Sequence, residues 1–132
     1  MNLNLPDCFE KSHSCLLFGA GGGYDYLGAT PFAHELKSRG KSAFIVDLVK
    51  DIGMTGVQPI VKYLQEKVDE LQIDTLIAVD GGVDSLMRGD EEGSGTILED
   101  TTMLAAISKV EVKNKILICM GFGTEVEEGL CH

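Results

Sequence analysis

Short, almost unbroken apolar runs alternate along this chain with stretches whose apolar positions recur every three or four residues. The runs at residues 14–18, 42–48, 75–80 and 115–120 predict β-strands covered on both faces, since a strand with one wet face would alternate apolar and polar. Between them, residues 26–39 predict a helix stopped by Gly40. Residues 55–71 place Val57, Ile60, Val61, Leu64, Val68 and Leu71 on one helical stripe, and residues 98–110 repeat it more weakly through Met103, Ala106, Ile107 and Val110. Pro31 and Pro59 fall in or near first turns, where proline is tolerated.

Strand and helix taking turns, with short links, imply right-handed crossovers and a parallel sheet. The expected fold is α/β, a three-layer sandwich with a mainly parallel, Rossmann-like sheet of about four strands. Strand orders 2-1-3-4 and 3-2-1-4 both satisfy the pattern. A length of 132 residues suits a single domain over 1–132. Two features depart from the regular alternation. Residues 81–97 make a link far longer than the usual ~2–6 residues. The fourth strand is followed only by an acidic loop ending at Cys131 and His132, with no helix to cover it. More chain in nature, or a second subunit in a homo-oligomer, is expected to close that gap.

Composition narrows the function. A net charge of −10 offers no basic stripe for phosphates of nucleic acid or for acidic lipid. No apolar run approaches the ~18 residues that span a bilayer. Residues 1–7 lack the basic and apolar regions of a signal peptide, so a cytoplasmic location is expected. Cys8, Cys15, Cys119 and Cys131 show no CxxC spacing and read as reduced, buried thiols.

Candidate chemistry gathers where the strands end, which is where ligands bind in open parallel sheets. The first strand runs into Gly19, Ala20, Gly21, Gly22, Gly23, Tyr24 and Asp25. Glycine amides at a helix N-terminus cradle anions. The dinucleotide pattern GxGxxG is nearly met from Gly19 but has Tyr24 in its third glycine position, and the Walker pattern from Gly23 has Ala29 in place of lysine. Asp25 repels a simple phosphate. It is either the cap of the following helix or a ligand for hydroxyls or a metal ion. Asp47 closes the second strand, either as a solvated carboxylate or as a ribose acceptor.

The richest segment begins at Asp80. Asp80, Asp84, Asp90, Glu91, Glu92, Glu99 and Asp100 stand against one cation, Arg88. Five glycines punctuate the stretch, among them Gly81 and Gly82, and Ser85, Leu86 and Met87 lie within it. Crowded carboxylates raise one another's pKa unless a metal, an arginine or hydrogen-bond donors offset the repulsion. Asp80, Asp84 and Asp90 are the candidate catalytic or Mg²⁺-holding groups, with Ser85, Arg88 and Glu91 beside them for a ligand. His34, inside the first long helix, reads as a partly exposed structural histidine rather than a catalytic base, and His13 as surface.

Three of these stretches resemble a known family. Residues 19–25 with Leu27, Gly28, Ala29, Thr30 and Pro31 look like its N-terminal motif, and residues 79–91 look very like its central one. Gly121, Phe122, Gly123 and residues 129–132 resemble a third. The family is an uncharacterised prokaryotic one, domain of unknown function eleven fifty-two. Its members are typically more than twice this length, so the resemblance implies an N-terminal part of a longer architecture. Tyr24 departs from the smaller or varied residue common there. The family supplies no reaction. The residues themselves suggest an enzyme acting on a nucleotide, sugar or sugar phosphate. A non-catalytic ligand-binding or regulatory module, or a structural oligomerisation unit, are the alternatives.

Overall fold

A computed structural model describes residues 6–21, 24–53, 55–82, 84–86 and 97–120. In chain order these form α1 (Asp7–Glu10), β1 (Ser14–Gly19), α2 (Asp25–Ser38), β2 (Ser42–Val46), α3 (Leu48–Ile52) and α4 (Val57–Glu70). β3 (Thr75–Asp80), a 3₁₀ turn (Asp84–Leu86), α5 (Ile97–Lys109) and β4 (Asn114–Cys119) follow.

The four strands make one parallel sheet in the order β2-β1-β3-β4. Of the two orders the pattern allowed, 2-1-3-4 is the one adopted. Alternate side chains serve opposite faces of the sheet. Leu16, Phe18, Leu76 and Ala78 pack on one side with Leu48 of α3, Ile60, Leu64 and Val68 of α4 and Met103, Ala106 and Ile107 of α5. Cys15, Leu17, Ala43, Ile77 and Val79 pack on the other with Phe9 of α1 and Ala29, Ala33 and Leu36 of α2. The helices thus lie on both faces, as the continuous apolar strands require. β3 is buried along its whole length, and β1 from Cys15 onward. β2 and β4 are the edges and are more open.

Several local details differ from the sequence reading. α1 and α3 are short helices that the apolar pattern did not announce. β2 stops at Val46 because Asp47 caps α3, its side chain accepting the Lys50 backbone N–H at 3.1 Å. Pro31 sits inside α2, beyond its first turn, where a proline deletes one intrahelical bond. α2 begins at Asp25, so Tyr24 holds the cap position, without a side-chain bond. Among the described residues, no helix is long and apolar enough to cross a membrane.

Candidate functional site

The connections decide where a site can form. From β1 the chain turns through α2 on one face, while from β3 it leaves through α5 on the other. The loops therefore diverge between the carboxyl ends of β1 and β3, opening the crevice at which doubly wound sheets bind ligands. The bases of the two loops are held together by the Ala20 N–H, which donates to the Val79 carbonyl at 2.8 Å.

Three carboxylates meet in that crevice. Asp25 is the first residue of α2, Asp80 the last of β3, and Asp100 stands in the first turn of α5. One oxygen from each lies within 4.8 Å of the other two, and Asp80 and Asp100 are buried. Glycine makes the approach possible. A Cβ at Gly21 would fall 2.7 Å from Asp100 Oδ1, and one at Gly81 would fall 2.6 Å from Asp25 Oδ1. The requirement at both positions is for space.

Asp80 is held by donors of its own loop. Its Oδ1 accepts the Gly82 N–H at 2.8 Å, and its Oδ2 accepts the Ser85 N–H at 3.2 Å and the Ser85 hydroxyl at 2.5 Å. Because that hydroxyl proton points at Asp80, the Cys119 thiol, 3.2 Å away, is placed to donate to Ser85 Oγ. Like charges this close repel by roughly 3 kcal/mol per pair at an effective dielectric of about 20. The N-termini of α2 and α5 each recover only about 0.3–1 kcal/mol for a nearby carboxylate. A cation at this spacing would interact favourably with all three carboxylates. The donor set is all oxygen, which suits hard ions such as Mg²⁺, Mn²⁺ or Ca²⁺.

Residues predicted from sequence divide into three groups. Asp25, Asp80, Gly21, Gly81, Gly82 and Ser85 come together as described. Asp47 lines a neighbouring crevice with Gly19, Gly21, Asp25, Tyr26, Leu48 and Val49, but the space is about 10 Å³, room for one water. Its observed work is to cap α3. Tyr24 is exposed at the rim. Gly22, Gly23, Arg88, Asp90, Glu91 and the side chain of Asp84 lie outside the described residues.

Asp100 was counted among the acids of the long link but was not picked out as a site residue. A signal existed: it stands three residues before Met103 and so continues the apolar stripe of α5 through Met103, Ala106, Ile107 and Val110. A carboxylate on a buried face asks for an explanation that a solvated one does not. A roomier hollow of about 320 Å³, lined by Thr55, Gly56, Leu98, Glu99 and Thr102, includes none of the three carboxylates.

The free cysteines among the described residues also separate. Cys8 is exposed, against the expectation of burial, and Cys119 half-buried. Cys15 is buried, and that burial, reinforced by the Asp74 carboxylate, pushes its thiol up to about 11. His34 is exposed on α2.

Residues 51–128 match the model of the family described as Protein of unknown function (DUF1152). That is well over half of the chain, and the chain belongs to this family. The matched stretch carries Asp80 and Asp100 and starts beyond the glycine turn and Asp25. No curated protein and no solved structure matches the chain.

Proposed function

We propose that the crevice between β1 and β3 binds a divalent cation through Asp25, Asp80 and Asp100, and with it a small molecule rich in hydroxyl or phosphate oxygens. A nucleotide, sugar or sugar phosphate has that chemistry. The observation that carries this reading is the convergence of three carboxylates from three separate elements at the switch point of the sheet. A hard cation offsets their repulsion and leaves coordination positions for ligand oxygens. If the protein is an enzyme, the ion would polarise a phosphoryl or carbonyl oxygen, and Asp84 and Asp90 would be the further acids available for proton transfer. A binding or regulatory module would use the same contacts without turnover.

The test begins with the ion alone. Titration of the whole chain with Mn²⁺, followed by calorimetry, should give saturable binding that Asp25→Asn and Asp100→Asn each weaken at least tenfold. Circular dichroism of both variants should stay unchanged. The absence of binding at millimolar Mn²⁺ would overturn the proposal. A thermal-shift screen of nucleotides and sugar phosphates, with and without Mg²⁺, then identifies the organic ligand. Shifts that need Mg²⁺ support the reading, and shifts indifferent to it place the ligand elsewhere.

A further inference from the structure

No further inference is drawn: the strongest candidate, the apolar strip that Ile116 and Ile118 of β4 and Met120 just after it leave half-buried beside α2, lies at the edge of the sheet, where nothing in the structure shows what covers it.

Discussion

The two ends of the sheet differ in how many carboxylates they bring together. At the amino end, Asp74 sits among donors. Its oxygens accept the His13 N–H at 3.2 and 2.9 Å, and the Thr75 hydroxyl lies 2.7 Å from Oδ1. Thr75 in turn touches Ser12 Oγ at 2.9 Å and accepts from Asn114 Nδ2 at 3.2 Å, so β1, β3 and β4 are tied together across their starting edge. Lys41 closes the group, its Nζ donating to the carbonyls of Glu10 and Ser12. One acid is shared among many donors, and the outcome is architecture. At the carboxyl end, three acids are drawn towards one another, and two glycines are kept bare so that they fit. A polar network built around one acid serves the fold, whereas three converging acids also suit a cation. The contrast separates the end of the sheet that builds the fold from the end we assign to function.

The largest effect that would break this contrast concerns the cation. At an ion concentration a hundred times Kd, binding to the folded state alone should stabilise the protein by about 2.7 kcal/mol. Urea unfolding with and without Mg²⁺ should show that gain in the wild type and at most about half of it in Asp100→Asn. A wild type indifferent to divalent ions would leave the two ends alike.

The next effect belongs to the amino end. Thr75→Val removes a buried hydroxyl from between Asp74, Ser12 and Asn114, and should cost about 1–3 kcal/mol in urea unfolding. Its Mn²⁺ affinity should match the wild type. A weakened affinity in this variant would mean that the two ends are coupled.

Gly81→Ala tests the carboxyl end with a smaller perturbation. The new methyl would meet Asp25 Oδ1, the tip of a side chain that can move aside, so the fold should tolerate it. The displaced oxygen is a proposed ligand, and a tenfold weaker Mn²⁺ affinity, about 1.4 kcal/mol, is the expected result. An unaltered affinity would remove Asp25 from the ligand set.

The smallest effect is a dependence on alkaline pH at the amino end. The Cys15 thiol keeps its proton to about 11 in the folded chain, against an ordinary value of 9.0. Between those values the unfolded chain loses a proton that the folded chain retains, so stability declines as pH rises through that window. Cys15→Ala should decline less steeply in urea midpoints measured from pH 8 to 11. With a thiol reagent at pH 8, Cys8 should react in the native protein and Cys15 only after unfolding.

Much of this arrangement is local and therefore legible in the chain. Continuous apolar runs and a period of 3.6 reflect which neighbours a residue has within its own element, so the four strands and three long helices could be read directly. Continuous apolar runs announced a sheet covered on both faces. The glycines and Asp80 at strand ends marked the edge where open parallel sheets place ligands. The short helices α1 and α3 were missed because too few turns are present to establish a period.

Strand order and the identity of the third acid were decided only in three dimensions. β2 and β1 both read as apolar strands, yet one lies at an edge and the other near the centre, a difference set by which helix crosses which face. Asp80 receives Asp100 because α5 folds back across the sheet, while α2 brings Asp25 from the opposite face. The chain itself determined that acids and glycines would gather at the carboxyl edge. Which three carboxylates share a few ångströms was left to the packing of α2 and α5 against β1 and β3, because such contacts depend on where whole elements dock rather than on spacing along the chain.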